Sequence, residues 1–318
     1  MDRQLWERVV REGGTLDNDF IVRREALYEG RNGKVVERFF VETAMGIQSF
    51  IFKPLTNPLT LGREQWAEQY LLPIIAVRTP RLLATASHKE AHRYWAIFED
   101  LGHLPPLVDA AAFVEASRMV ATLHKLPLST VPKSFDGHSP LLEKVREHVE
   151  ANWERLWQIM TEAAIPLGLF DVLKNEAVKR EGAINEEWVV CHGDLHPSNV
   201  SLKNGQLIVI DWEYVQQNSV FWDLYNLLDI TSPSYRRDLE PETRLAALES
   251  YVHARVNAGW RQPSRFMWDY HFYTAVYSAW ILLLIDNDIK GGRFDLHTLV
   301  LQRKETCDIL RDCATYLE

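Results

Sequence analysis

Between the apolar runs WVVC and VSLK the sequence places His192, Gly193, Asp194, Leu195, His196, Pro197, Ser198 and Asn199, more polar and turn-forming residues than a purely structural loop needs. Asp194 and Asn199 stand five positions apart, and Asp211 ends the next apolar run, LIVID. A hairpin turning at Asn204 and Gly205 brings the oxygens of all three around one point. Hard oxygen donors suit Mg²⁺, which prefers one or two carboxylates plus substrate phosphates to a full protein cage. The plain structural reading of the same letters is a polar turn, with His192 satisfied by backbone and Asp211 acting as a cap.

Lys53 lies inside the apolar run FIFKPL, an unusual place for a residue seldom buried without a partner. It is either a paired functional lysine or one that snorkels from an edge strand. Asp223 sits among large apolar residues in VFWDLYNLL, where a buried carboxylate must find donors. Either it receives backbone N–H groups from elsewhere or it caps the helix that begins there. Gly30, Asn32 and Gly33 in EGRNGKV either let the backbone approach phosphates or form an ordinary Asn-Gly hairpin turn.

The elements that position these residues are legible from periodicity. From Phe20 to Leu55 three β-like runs are separated by Gly- and Asn-containing turns, an antiparallel meander. GREQWAEQYLLPII has helical spacing, and TPRLLATAS and RYWAIFEDL read as two further strands. Beyond Pro105 and Pro106 long helical patterns take over, which sets a lobe boundary between residues 1–104 and a helical lobe of residues 105–318 that carries the polar loop. The exception is residues 188–215, which read as strand, polar loop, short strand, turn and apolar strand. The start, MDRQLWERVVREGG, reads as a short amphipathic helix closed by Gly13 and Gly14.

Composition bounds the remaining classes. With 318 residues, 47% hydrophobic and 25% charged, the chain can bury a sizeable core. A formal net charge of −9 argues against nucleic acid as a partner, whose phosphates require clustered Lys and Arg. Three cysteines, an odd number without metal spacing, argue against a disulfide framework and for a reducing, cytoplasmic setting. The most apolar stretch, AVYSAWILLLI at residues 275–285, is too short to cross a bilayer and fits a buried helix, so no membrane is expected. The oligomeric expectation is a monomer or a homodimer.

HGDLHPSN followed by VIDWE resembles the paired signature of the aminoglycoside phosphotransferase and choline kinase family, strongly over residues 188–229 and more weakly over most of the chain. The resemblance implies an α+β, two-lobed protein-kinase-like fold, with a small antiparallel-sheet N-lobe holding one helix and a larger, mainly helical C-lobe. It implies transfer of the γ-phosphate of ATP or GTP, with Mg²⁺, to a hydroxyl of a small molecule of aminoglycoside-, choline- or homoserine-like kind. Asp194 is then the catalytic base or hydroxyl-orienting carboxylate, His192 braces its loop, and Asn199 and Asp211 hold the metal. Lys53 binds the α- and β-phosphates and pairs with Glu64, with Glu68 one turn later as the alternative. Phe98, Glu99 and Leu101 of AIFEDL line the base pocket, and Gly30 and Gly33 cover the phosphates. Asp223 supports the catalytic loop from below.

Glu213 either touches a second metal or substrate or faces solvent. Asp229, Trp268 and Asp269, with Tyr273 and Asp286, are candidates for an acceptor pocket and equally for core or surface. One departure from the family pattern is QQNSVFWD, where the family carries a glycine before its Asp. The competing classes are a non-catalytic kinase-fold binding or coat-type protein and a metal-dependent hydrolase using His192, Asp194, His196 and Asp211. The presence of the whole Lys, Asp, Asn and Asp set weighs against the first, and the Asn among hard oxygen donors against the second.

Overall fold

The computed structural model describes residues 3–30, 32–75, 77–135, 137, 140–178, 184, 186–237 and 239–317. In chain order the elements are α1 (Arg3–Val9), β1 (Arg23–Glu29), β2 (Val35–Thr43), β3 (Gly46–Pro54), α2 (Arg63–Trp66), β4 (Leu82–Thr85), β5 (Trp95–Glu99) and α3 (Ala110–Leu123). They continue as α4 (Leu142–Ala151), α5 (Trp153–Glu162), α6 (Leu167–Val178), β6 (Trp188–Cys191), β7 (Val200–Lys203), β8 (Gln206–Val209) and β9 (Gln216–Ser219). Four helices end the chain: α7 (Trp222–Leu228), α8 (Pro241–Asn257), α9 (Phe266–Gly291) and α10 (Leu296–Leu317).

The chain divides into two compact units. The first is Met1–Pro105 with Pro132–Asp136 and Ser201–Val215, and the second is Pro106–Val131, Gly137–Val200 and Gln216–Glu318. The architecture is the two-lobed, α+β protein-kinase-like fold.

The first unit is built on a five-stranded antiparallel sheet of order β1-β2-β3-β5-β4. Strand alternation gives it two faces. Phe39, Val41, Phe50, Phe52 and Ile97 point to one side and are buried there with Trp6 and Val9 of α1, Trp6 meeting Phe50 edge-on at 4.9 Å. Burying each such side chain contributes about 1.5–3 kcal/mol. Arg38, Ile51, Phe98 and Leu82 pair directly across the strands on the opposite face, which Lys53 shares two residues along β3.

Helix α1 stops at Val9, before the expected closure at Gly13 and Gly14, because the chain turns there to form a Val10–Leu16 bridge. Gly14 serves that turn: its φ is +75° and a Cβ would lie 2.3 Å from the Arg93 carbonyl oxygen. The expected helix from Gly62 is also shorter. α2 passes into a π-type turn over Ala67–Leu71, which buries Ala67 and Leu71 and ends before Pro73.

The β7–β8 hairpin, expected inside the helical lobe, clusters with the first unit, because Ile208 bridges Arg78 and the Val209 N–H donates to the Arg78 carbonyl at 3.0 Å. Its turn is the Asn204-Gly205 pair, both at positive φ (53° and 73°), the conformation that favours Asn-Gly.

The second unit is mainly helical. In α3, Asp109 Oδ1 caps the N-terminus by accepting the Ala112 N–H at 2.9 Å, and Phe113, Ala116, Val120 and Leu123 form the buried stripe. The apolar stretch 275–285 lies within α9, a 26-residue helix whose middle is buried nearly all round. β9 pairs with β6, Cys191 opposite Gln216 and Trp188 opposite Ser219. QQNS is a strand that polar composition hides, since Gln216, Asn218 and Ser219 are buried by their neighbours rather than by their own apolarity.

Candidate active site

In the first unit Lys53 holds three carboxylates. Its Nζ donates to Glu64 Oε1 at 2.9 Å and to Asp211 Oδ1 at 2.6 Å, and lies 3.4 Å from Glu213 Oε2. Asp211 reaches it because the chain turns sharply after β8. Asp211 takes a left-handed conformation, φ 67° and ψ 57°, at the entry to a single 3₁₀ turn of Trp212–Tyr214. A non-glycine residue held in that region is sparsely populated and characteristic of functional positions.

Burial opposes the charge on Lys53, but Asp211, Glu64 and Glu213 hold its pKa well above the ordinary lysine value. Burial also pushes the Glu213 carboxyl up to about 7, with Lys53 acting against the rise and Asp211 and Glu64 adding to it. Glu213 is further held by the Thr60 hydroxyl at 3.2 Å. Glu68 accepts the Leu82 N–H and lies beside Arg81, so Glu64 is the helix glutamate on Lys53.

The segment that leaves β5 lies in the same unit. Glu99 is paired with Arg78 at 3.0 Å and Arg81 at 3.4 Å. Phe98 and Leu101 are half-buried, and Phe98 lies on the Lys53 face of the sheet. Gly30 and Gly33 belong to the β1–β2 turn, where Gly33 donates its N–H to the Gly30 carbonyl at 2.9 Å. Asn32 ties that turn to the segment after β3 by donating Nδ2–H to the Thr56 carbonyl at 2.9 Å.

In the second unit the polar loop is fastened from two sides. Asp223, fully buried at the start of α7, accepts the N–H of His192 at 2.8 Å on Oδ2 and that of Gly193 at 3.0 Å on Oδ1. The indole of Trp222 donates to the Gly193 carbonyl at 2.8 Å. Two buried amides are thereby satisfied, and the loop that carries Asp194 is fastened to α7.

The Asp194 N–H donates to His192 Nδ1 at 3.3 Å, and Asn199 Nδ2 donates to the Asp194 carbonyl at 2.8 Å. With its amide N–H groups turned to Asp194, Asn199 offers its oxygen as the atom suited to a cation. Asn199 in the second unit and Asp211 in the first each carry an oxygen of the donor type that a hard divalent ion takes. His196 stacks on Tyr235, ring centroids 5.1 Å apart, with Nε2 3.7 Å from Asp194 Oδ2.

Several residues here carried no signal in the sequence. His124, at the end of α3, lies 3.5 Å from Asp223 Oδ2 through Nε2 and shares a hydrogen bond of 2.9 Å with the Tyr251 hydroxyl through Nδ1. Burial lowers its pKa, consistent with a neutral ring between those partners. A lone histidine in the helical run ATLHKL cannot be told from an ordinary core residue.

His124, Cys191 and Asp223 bring ligand-type atoms within 4.8 Å of one another. The Asp223 oxygens already receive the loop amides, and burial pushes the Cys191 thiol well above its usual range, so the cluster reads as packing rather than as a metal centre.

The residues considered for an acceptor pocket are placed mainly in the core of the second unit. Asp229 is buried and receives a two-pronged bond from Arg244, at 2.7 and 2.9 Å, and the Tyr270 hydroxyl at 2.5 Å. Asp269 is buried on α9 with Arg265 3.9 Å away, and Tyr273 is buried among aromatic rings. Trp268 is half-buried, stacked on Phe272 with Arg265 over its ring at 4.2 Å. Asp286 is paired with Arg155 and Lys290.

The family model described as the phosphotransferase enzyme family, APH, matches residues 15–266. Similar solved structures include a putative aminoglycoside phosphotransferase from Ralstonia eutropha, 16% identical, with TM-score 0.61, covering 99% of this chain and 98% of that one. A choline kinase from Cryptosporidium parvum is 14% identical with TM-score 0.54, covering 96% and 92%. The macrolide 2′-phosphotransferase of Brachybacterium faecium is 16% identical with TM-score 0.53, covering 92% and 94%. No curated protein matches the chain.

Proposed function

The chain belongs to the phosphotransferase enzyme family, and on that premise we propose that it transfers the γ-phosphate of a purine nucleoside triphosphate to a hydroxyl group of a small molecule. The observation that carries the reading is the Lys53 ammonium held at once by Glu64 and Asp211, at 2.9 and 2.6 Å. A buried lysine with that many carboxylates is poised for a polyanion: triphosphate oxygens can replace Asp211 as its partner, which frees that carboxylate for a cation.

In this mechanism Lys53 binds the α- and β-phosphates, and Glu64 keeps its amine in place. Asp211, with Asn199 of the other unit as a second oxygen donor by type alone, is the residue that would bind Mg²⁺, which when bound neutralises charge on the phosphate oxygens. Asp194 orients the acceptor hydroxyl and takes its proton as the oxygen attacks the γ-phosphorus and the bond to the β-γ bridging oxygen breaks. Asp223 and Trp222 hold the loop that carries it, so little reorganisation remains for the chemical step. The half-buried apolar face formed by Ile51, Phe98 and Leu82 suits a purine, with the segment from Glu99 to Leu101 supplying backbone groups to its edge.

The acceptor is a hydroxyl compound of aminoglycoside, macrolide, amino-alcohol or related kind. This range is supported by the family and by what its structural neighbours are named for. The test is a screen of such acceptors by nucleotide consumption with Mg-ATP and Mg-GTP, repeated with Asp194→Asn. We expect at least one acceptor to raise consumption well above the water-only rate, and Asp194→Asn to lower kcat by a factor of about 10² or more while nucleotide still binds. Near-normal kcat in the variant would remove Asp194 from its role.

A further inference from the structure

The segment leaving β5 is fastened to two other strands by cations that the phosphotransfer reading does not use. The Asp100 side chain is only 4% exposed, and burying a carboxylate is unfavourable unless it is paired. Arg38 of β2 provides a two-pronged partner, Nε to Oδ2 at 2.7 Å and Nη2 to Oδ1 at 3.2 Å. Asp100 Oδ1 also accepts the Gly102 N–H at 2.8 Å, closing a tight turn. One residue earlier in the chain than that glycine, the Leu101 carbonyl accepts a bond from Lys203 Nζ at the end of β7. Gly102 has φ +76°, a backbone conformation that side-chain-bearing residues rarely adopt, and a Cβ there would lie 3.1 Å from the Lys203 amine.

Arg38 stands directly opposite Ile51, which stands opposite Phe98, so the guanidinium reaches from β2 across β3 to the continuation of β5. That span is two inter-strand spacings, about 10 Å. It runs along the Lys53 face of the sheet, and a flexible linker would need no such brace.

We propose that Arg38, acting through Asp100, is a positioning residue for the nucleoside half of the nucleotide: it holds the backbone of residues 99–101 in the conformation that meets the purine edge. The inference rests on the phosphotransferase reading. Its physical basis is preorganisation: a segment ordered during folding does not have to be ordered when the ligand binds, and the saving appears as affinity. The planar fork of arginine makes two parallel bonds to a carboxylate, which lysine cannot reproduce.

Calorimetric titration of the full chain with Mg-ATP, Mg-GTP, adenosine and guanosine tests it, using Arg38→Met, Arg38→Lys and Asp100→Asn. For whichever base the wild type prefers, Arg38→Met and Asp100→Asn should raise Kd for nucleoside and nucleotide alike by about tenfold, and Arg38→Lys by less. The ratio of nucleotide affinities with and without Mg²⁺ should stay at its wild-type value, since the phosphate end is untouched. If Arg38→Met does not fold, Arg38→Lys and Asp100→Asn carry the comparison. Unchanged nucleoside affinity in the folded variants overturns the proposal, and so does a loss of the Mg²⁺-dependent gain together with a lowered melting temperature, which marks a merely structural brace. A wild type that binds neither nucleotide nor nucleoside overturns the phosphotransferase reading and this inference with it.

Discussion

At the scale of single residues, the first unit concentrates one cation and three carboxylates within 3.4 Å of Lys53 Nζ. Removing the cation leaves three acidic groups in partial burial, which disfavours their charged forms. We therefore expect Lys53→Met to lower stability and to weaken nucleotide binding, whereas Asp211→Ala relieves crowding among the acids and leaves the fold intact. For Asp211→Ala the expected outcome is loss of the Mg²⁺-dependent part of nucleotide affinity, measured by titration with and without the ion. Retention of the full gain would reduce Asp211 to a structural cap. The second unit has a counterpart in Asp223, whose two oxygens satisfy two buried amides. Asp223→Ala should destabilise by about 2–4 kcal/mol, the cost of leaving those donors unpaired, and denaturant titration reads it directly.

At the scale of elements, α8, α9 and α10 are joined by buried polar groups as well as apolar ones. His271 of α9 lies 2.9 Å from Arg244 of α8 through Nε2, shares a bond of 2.6 Å with the Met267 carbonyl through Nδ1, and stacks on Tyr316 of α10 at 3.8 Å. Nδ1 therefore carries the proton and Nε2 accepts, an arrangement open only to the neutral ring. Burial, reinforced by the Arg244 charge, pushes the His271 pKa down to about 4.

The sign of the pH dependence follows. Between the unfolded value near 6.5 and the folded value the unfolded chain binds the extra proton, so stability rises with pH. The contribution is fully present above about pH 6.5 and is lost as pH falls toward 4, by at most about 3 kcal/mol. His271→Asn should flatten the stability profile over that window while changing it little above pH 7. An unchanged acid limb would mean that His271 is not the group that titrates.

At the scale of the whole molecule, the two units have separate cores, and the groups proposed to meet the nucleotide belong almost wholly to the first: Lys53, Glu64, the β5 continuation and Asp211. Hydrogen exchange with and without Mg-nucleotide should show its strongest new protection in β3, in residues 96–102 and in 206–213. Protection confined to α8–α10 would contradict that assignment.

What the sequence alone determined was the structure with local cause. The spacing of Asp194, Asn199 and Asp211, the Asn204-Gly205 turn, the strand lysine and the strand-strand-strand-helix-strand-strand order each depend on neighbours a few residues apart, where periodicity and turn preference speak directly. What only the tertiary structure decided are the partners brought from far along the chain. Glu213 on Lys53, Arg38 on Asp100, Lys203 on the Leu101 carbonyl and His124 beside Asp223 join residues from 62 to 160 positions apart, and no local pattern distinguishes them from solvated charges or core residues. The placement of Asp229 and Asp269 in the core has the same origin. Whether an acidic side chain meets a ligand or a buried guanidinium depends on which helix packs over it, and that choice is made by the whole fold through the desolvation that a buried charge must have compensated.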